Sequence, residues 1–474
     1  MSLAIKNIFW LTASRFIALF LLLIAYSQLF RYLGPYGSGQ YQFVLSYVLI
    51  FSTVVDFGVQ QFITKKMSEE PQNTVRYFRD FLRFEVFAAF VLYGVLLLVG
   101  LVRGYEPVVM AAVAVTGLGM VANALTYPYL SVMTANQDLK KVAFINFLNS
   151  SVNISIIFLA IVLKKYIVFL ASVQLIFGIL DLILYRIFTK KYLVKNDSPV
   201  MVESKPAGAT GLLQIIKHAW PFAILVGFSA IYNRIDVIII TRMLGFEQTG
   251  FYTAAYKFLD ILNFFPASVS HVLFPVLATL MVKGLITNVK QTLEKYIRLM
   301  VAIALPMAVG GSILAKPLVI LLAGKEFESS APVLSILIWA AAILFIYIPV
   351  NSLIISQLTK KAALVTGLNV LLNVAGNILL IPYFGIKAAA GMTVVSEILQ
   401  GIFYFYFVKR NITDFSFFPI LWRPVLAAGI MGVAVWFVRD MNLIVSLSAG
   451  ILVYLVCLIG FGFVKKEELM NLKL

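Results

Sequence analysis

The chain has 474 residues, 61% of them hydrophobic and 12% charged, with a mean hydropathy of +0.96. A soluble globular domain carries roughly a quarter charged residues, so this balance excludes one and selects an integral membrane protein. The net charge of +17 would suit a nucleic-acid partner, but the basic residues gather in short connections between apolar runs, which excludes that class.

The first segment, "MSLAIKNIFWLTASRF", has no small-residue cleavage site, and its apolar run is too long for a signal-peptide core. It reads as the first span. The apolar runs are about 20 residues long, enough to cross roughly 30 Å of hydrocarbon as helices. A β-barrel would alternate in segments of about 10 residues instead. Six spans are expected near 8–30, 42–63, 82–102, 108–133, 142–163 and 167–188. Six more follow near 218–240, 251–281, 297–323, 331–357, 362–382 and 388–408, and two close the chain near 420–438 and 443–464. The fold class is therefore an all-α integral membrane protein of about fourteen transmembrane helices. The polar, Pro- and Gly-containing stretch "KNDSPVMVESKPAGATG" reads as a flexible cytoplasmic linker. The expected division is a six-helix lobe at 1–188, a linker at 189–217, a second six-helix lobe at 218–410, and two further helices with a cytoplasmic tail at 411–474.

Numbering the connections alternately puts 25 of the 38 Lys and Arg residues on the side of the N-terminus and nine on the other. That excess predicts a multi-pass protein of the cytoplasmic (inner) membrane with both termini cytoplasmic. Trp10, Trp220, Trp422 and Trp436 fall near span ends, as an interfacial belt requires. The single cysteine, Cys457, lies inside the last apolar run and rules out a disulfide framework or a CxxC metal site.

Two segments repeat. "RYLGPYGSGQY" and "TRMLGFEQTGFY" share Leu33/Leu244, Gly34/Gly245, Gly39/Gly250 and Tyr41/Tyr252 at an offset of 211 residues. "KKVAFINFLNSSVN" and "KKAALVTGLNVLLN" share Lys140/Lys360, Lys141/Lys361, Ala143/Ala363, Leu148/Leu368, Asn149/Asn369 and Asn153/Asn373 at an offset of 220. The same order twice indicates an internal duplication. Six spans per copy make the copies parallel, related by a pseudo-two-fold along the membrane normal, with a substrate path expected between two bundles. The repeated glycines are expected to serve tight turns of the first hairpin in each half. The Asn residues, recurring at helical spacing, are expected to bond between helices. Pro266, Pro275, Pro306 and Pro349 are expected kinks, and His271 a satisfied helix-end residue.

The segments "LGPYGSGQY", "DFGVQQFITKKMSE", "RIDVIIITRMLGFEQTGFY", "LFPVLATL" and "NVLLNVAGNILLIPYFGIKAAA" resemble those of the prokaryotic polysaccharide transporters. These include the O-antigen flippases and belong to the superfamily of multidrug, oligosaccharidyl-lipid and polysaccharide exporters. The resemblance runs through most of residues 1–410. It implies a V-shaped twelve-helix core, here with two extra C-terminal helices, that moves undecaprenyl-pyrophosphate-linked sugars across the cytoplasmic membrane by alternating access.

Charges inside a bilayer are costly and point to function. Counting about 1.5 Å per helical residue from the repeated glycines places Arg234, Asp236, Lys257 and Asp260 near the midplane. Arg15 and Asp56 fall nearer the cytoplasmic mouth, where they form a candidate pair. Arg15, Arg234 and Lys257 are the candidate substrate-binding cations: guanidinium forks suit phosphate oxygens and an ammonium acts as a point charge. Asp56, Asp236, Asp260 and Glu397 are candidates for charge pairing or for a coupling proton or sodium ion. Neutral pairing that only holds helices together is the competing reading for each. No His, Cys or carboxylate spacing indicates a metal, and no P-loop indicates ATP. The expected function is a non-enzymatic flippase for lipid-linked oligosaccharide, with membrane lipids and polysaccharide-assembly proteins as partners. The alternatives are an ion-coupled multidrug exporter, a lipid II-type flippase and, more distantly, a membrane glycan polymerase or ligase.

Overall fold

The computed structural model describes residues 3–56, 58–164, 166–195, 227–228, 232–414 and 418–463, and their side chains apart from those of 3–22, 139, 150, 194, 195 and 418. Helices and turns account for these residues, with no strand among them. The order is α1 (Leu3–Asp56), α2 (Val59–Glu69), α3 (Thr74–Arg103), α4 (Pro107–Ala124), α5 (Tyr127–Ala135), α6 (Leu139–Val162) and α7 (Ile167–Lys195). Residues 232–244 form α8. Then come α9 (Phe246–Leu262), α10 (Phe264–Val282), α11 (Ile286–Ile313), α12 (Ala315–Ala323), α13 (Ala331–Gln357), α14 (Thr359–Phe384), α15 (Ile386–Asn411), α16 (Phe418–Val438) and α17 (Leu443–Gly460).

Among the described residues, twelve helical stretches are long and apolar enough to cross a membrane. The kink at Gly34 divides the first of them, and α8, described over residues 232–244, lies within the span expected to open the second repeat, in keeping with the fourteen helices expected. Lipid-facing apolar stripes show why such a chain needs a bilayer: on α3, Phe87, Phe90, Leu98, Leu101 and Val102 are all exposed. A soluble protein rarely exposes so contiguous an apolar face. Backbone groups stay paired inside each helix, as hydrocarbon demands.

Several spans are two helices end to end, and proline explains where they break. A proline lacks the N–H that would bond to the carbonyl four residues earlier and its ring clashes with it. Counting back four from Pro128, Pro266 and Pro317 gives Ala124, Leu262 and Ile313, the last residues of α4, α9 and α11. Of the four expected kinks, only Pro266 lies at such a break. Helices continue through Pro275, Pro306 and Pro349, which are inside α10, α11 and α13. His271 lies well inside α10 and is exposed, so it is not a helix-end residue.

The chain divides into two compact units, residues 1–250 and 251–474. The core of the first collects Leu29, Phe43 and Val48 of α1, Leu96 of α3, Val113 and Met120 of α4, and Leu170 of α7. The core of the second collects Leu277 of α10, Leu293 and Ile297 of α11, Val350 and Leu353 of α13, and Tyr404 of α15. The last two helices, α16 and α17, pack with α11 of the second unit through Ala428, Met431, Tyr454 and Leu458. The linker expected at 189–217 falls from residue 196 onward outside the described residues.

Candidate functional site

Of the two repeated glycines, the first makes the turn. Gly34 has φ 63° and ψ −178°, and Gly245 has φ 86°. L-residues with a side chain avoid this region, so glycine opens each hairpin. The second glycine is a correction to the expectation that both serve turns. Gly39 and Gly250 are helical, and what they provide is space. A Cβ on Gly39 would lie 1.8 Å from the Phe246 carbonyl oxygen, and a Cβ on Gly250 would lie 1.9 Å from the Pro35 carbonyl oxygen. Position 246 is the counterpart of 35, as 250 is of 39. The two copies of the repeated turn therefore cross in a reciprocal backbone contact within the first unit. Phe246 seals the crossing edge-on to Tyr36 and Phe43, each at 5.7 Å between ring centroids.

This crossing anchors α8, the helix that carries Arg234 and Asp236. One turn before Gly245, the Thr241 hydroxyl donates to the Val237 carbonyl and meets the Thr249 hydroxyl at 2.8 Å, both buried. Asp236 is 4% exposed, and its Oδ1 accepts from the Val237 amide at 2.8 Å. Arg234 is half-buried. Their counterparts in the first copy are Leu23 and Ala25, so the duplication has diverged at the buried charges.

In the second unit, Lys257 and Asp260, which the sequence places on one helix face, form an ion pair at 3.1 Å on α9, the arrangement of the competing pairing reading, with 13% and 29% of their side chains exposed. Glu397 of α15 is buried and accepts a 2.5 Å hydrogen bond from the Tyr347 hydroxyl of α13. Tyr347 packs edge-on to Tyr404, whose hydroxyl accepts from Gln400. A ladder of amides runs beside them. Asn369 donates to the Ser396 carbonyl and to Gln400, Asn373 donates to Ser396 Oγ, and Asn377 donates to Asn373. The first repeat reproduces the first rung, with Asn149 of α6 donating to Asp181 of α7 at 2.7 Å. Asn149 thus bonds α6 to α7, and Asn369 and Asn373 bond α14 to α15, as expected of polar residues in packed membrane helices, whereas Asn377 donates within its own helix.

Asp56 closes α1 in the first unit, buried, with Oδ1 accepting from the Gln60 amide at 3.0 Å. The side chain of its expected partner Arg15 lies outside the described residues. Two carboxylates within the helices lie outside the sequence reading: Asp181 of α7, half-buried, and Glu85 of α3, which has no exposed surface. The signal for Glu85 was present, a lone acid between Phe84 and Val86 inside an expected span. It was masked by the charged approach "RYFRDFLRFE", which resembles a loop edge.

Two carboxylates outside the spans have shifted proton affinity. Asp138, in the turn between α5 and α6, accepts from Lys141 at 2.9 Å and from the Tyr192 hydroxyl at 2.8 Å, with Lys191 at 3.5 Å. Lys141 foremost, then Tyr192, holds its carboxyl below the usual range. Glu70, between α2 and α3, is likewise held low by the Tyr77 hydroxyl and the Asn73 amide. Among the described residues, no group of three or more His, Cys, Asp or Glu side chains could hold a metal ion.

Two family profiles match this chain. One described as polysaccharide biosynthesis protein matches residues 4–281, and one described as lipid II flippase MurJ matches residues 146–456. An uncharacterized membrane protein of Methanocaldococcus jannaschii is 26% identical over 59% of this chain and 56% of its own length. The probable low-salt glycan biosynthesis flippase Agl15 of Haloferax volcanii is 24% identical over 51% of this chain and 53% of its own. The chain thus spans about half the length of these curated relatives. Among solved structures, an inward closed lipid II flippase MurJ superposes with a TM-score of 0.77 at 14% identity, covering 96% of this chain and 98% of that one. An inward-facing multidrug resistance MATE transporter superposes with a TM-score of 0.65 at 12% identity, covering 82% and 94%. With each profile spanning more than half of the sequence, the chain belongs to the polysaccharide biosynthesis protein family, where it overlaps the MurJ family, and has the helical fold of the MurJ and MATE transporters.

Proposed function

We propose that the protein is a flippase, not an enzyme, and that it carries a lipid-linked oligosaccharide from the cytoplasmic to the outer leaflet of the cell's inner membrane. The observation that carries this reading is the family match over residues 4–281 combined with a MurJ-type fold over 96% of the chain. The Agl15 relative, a probable glycan biosynthesis flippase, supports the same substrate class. The cargo is a sugar repeat unit of an O-antigen, capsule or exopolysaccharide on an undecaprenyl-pyrophosphate carrier. Arg15, Arg234 and Lys257 meet its acidic head while the lipid tail stays in the bilayer. Forked guanidinium donors on two of these residues suit phosphate oxygens. Alternating access moves the head, biased by differential binding of cargo and of a proton or sodium ion to the two states.

The test is reconstitution. Purified full-length protein is placed in vesicles containing an undecaprenyl-pyrophosphate-linked oligosaccharide, and a glycosidase is added outside. The proposal predicts that the glycan of the inner leaflet becomes cleavable over time. An inner-leaflet fraction that stays protected in intact vesicles would overturn it. Export of cationic drugs by the same vesicles would instead favour the multidrug reading.

A further inference from the structure

The duplication extends to two basic clusters apart from the proposed cargo-binding residues, at the charged ends of the hairpins α6–α7 and α14–α15. In each unit the first helix of the hairpin begins with two lysines, Lys140 and Lys141 on α6 and Lys360 and Lys361 on α14. Its second helix ends with two more cations, Lys190 and Lys191 on α7 and Lys409 and Arg410 on α15. Exposure agrees position by position: Lys141 and Lys361 are half-buried, and the other six are exposed. Lys141 Nζ lies 5.4 Å from the centre of the Phe188 ring, and Lys361 Nζ lies 5.0 Å from that of Phe407, its counterpart at an offset of 219. The excess of Lys and Arg in the connections on this side is the basis for expecting both ends at the cytoplasmic surface.

The clusters differ in what holds their cations. In the first unit Asp138, the residue before α6, takes Lys141 at 2.9 Å and Lys191 at 3.5 Å, with the Tyr192 hydroxyl at 2.8 Å. In the second unit Leu358 stands in the place of Asp138 and Asn411 in that of Tyr192. Lys361 donates to Asn411 Oδ1 at 2.8 Å, and Arg410 donates to the Tyr406 hydroxyl at 2.7 Å. Among the described residues, the ion pair at this end is Lys409–Asp414 at 3.3 Å, with 65% and 74% of the side chains exposed, where solvent leaves it little strength. Neutral acceptors therefore fix Lys361 and Arg410 in place, and an anion can meet both without displacing an acid.

The surface beside them suits a lipid. Phe403, Tyr406 and Arg410 follow one face of α15 at three- and four-residue spacing, and Ile402, Phe403 and Tyr406 are exposed. An aromatic strip that ends in a cation is the composition of a membrane interface. We infer that the α14–α15 end binds the phosphate headgroup of an anionic phospholipid, with Lys361 and Arg410 as its principal ligands and the acyl chains along Ile402, Phe403 and Tyr406. The α6–α7 end is closed to such a lipid because Asp138 holds its cations. The site needs no cargo, so it stands or falls separately from the transport reading.

The experiment is native mass spectrometry of the purified full-length protein titrated with phosphatidylglycerol or phosphatidylcholine. Wild type should retain phosphatidylglycerol in preference. Lys361→Gln combined with Arg410→Gln should weaken phosphatidylglycerol binding by about fivefold per cation removed and leave phosphatidylcholine binding as it was. Lys141→Gln combined with Lys191→Gln should leave both unchanged. Leu358→Asp copies Asp138 into the second unit, at a helix start where aspartate is favoured, and should weaken phosphatidylglycerol binding with every cation still present. Should the first double variant fail to fold, Arg410→Gln alone, at an exposed side chain, carries the same test. Phosphatidylglycerol binding untouched by the second-unit variants, or equal losses from both units, would overturn the inference. So would displacement of the lipid by inorganic phosphate at an ionic strength where chloride leaves it bound.

Discussion

Gly39 and Gly250 occupy equivalent places in the two sequence copies, and each packs its bare Cα against the backbone of the other copy. A methyl group on either would fall within 2 Å of a carbonyl oxygen, at Phe246 for one and at Pro35 for the other. Nothing flexible is there to give way. Gly39→Ala or Gly250→Ala should each cost at least about 3 kcal/mol, the upper range for overpacking a tight contact. Gly94→Ala, with no atom within 4 Å of its added methyl, is the control and should be neutral. Thermal unfolding of the detergent-solubilised variants checks this, and a Gly39→Ala protein as stable as wild type would contradict the reciprocal contact.

The paired asparagines make a graded prediction. Asn369→Ala removes donors to a carbonyl and to a neutral amide, whereas Asn149→Ala takes the amide away from the Asp181 carboxylate. Hydrogen bonds between membrane helices contribute about 0.6 kcal/mol on average and about 1.7 at most. Asn369→Ala should fall near the average. Asn149→Ala should exceed it, and Asn149→Ala combined with Asp181→Ala should recover part of the loss. Unfolding midpoints of the three variants, at one detergent concentration, decide the order.

Asp138 predicts how acid acts on the end of α7. Its carboxyl is held low in the folded protein by Lys141 and Tyr192. A depressed value means the contribution is fully present above the ordinary carboxylate pKa and is lost as pH falls through the folded one. Its side chain is near the surface, so the effect should be no more than about 1 kcal/mol. Hydrogen exchange around Tyr192 should therefore speed up on acidification in wild type. In Asp138→Asn it should be fast at neutral pH and flat below it.

Lys257 and Asp260 allow the binding and pairing readings to be separated. If the pair only neutralises itself, Lys257→Ala removes the base that pairs with Asp260, and the double variant with Asp260→Ala should regain glycan export. If Lys257 meets the acidic head of the cargo, the double variant should stay as impaired as the single one. The proposed role predicts the second outcome, read as glycan export in cells lacking the native gene. Arg234→Ala, with normal membrane insertion, should likewise lower export.

The proline breaks predict local exchange behaviour. Pro266→Ala would return an N–H to the Leu262 carbonyl, the last residue of α9. The amides of residues 263–266 should then exchange more slowly and α9 should run into α10.

Much of the fold is legible in the sequence because a bilayer leaves a chain few options. It demands apolar runs of about 20 residues, so the spans declare themselves. The Asn149 and Asn369 bonds were legible for the same reason: an amide inside hydrocarbon must find a partner. The second glycine of each repeat was read wrongly because a glycine near a turn looks like part of it. Only the three-dimensional crossing shows that Gly39 serves the helix opposite, 211 residues away in register. The acids divided along similar lines. Asp56 and Glu397 stood out within apolar sequence, whereas Glu85 was hidden by the charged residues that lead into α3. That Glu85 lacks any donor is a property of its surroundings in the folded chain, and no spacing along α3 records it.

The central claim is that this protein moves a lipid-linked glycan across the membrane, and the most direct measurement is made in the cell. With the gene deleted, the account predicts that one lipid-linked oligosaccharide accumulates on the cytoplasmic face, and that the wild-type gene clears it. Normal distribution of every lipid-linked glycan in the deletion strain, with no other transporter taking over, would contradict the account.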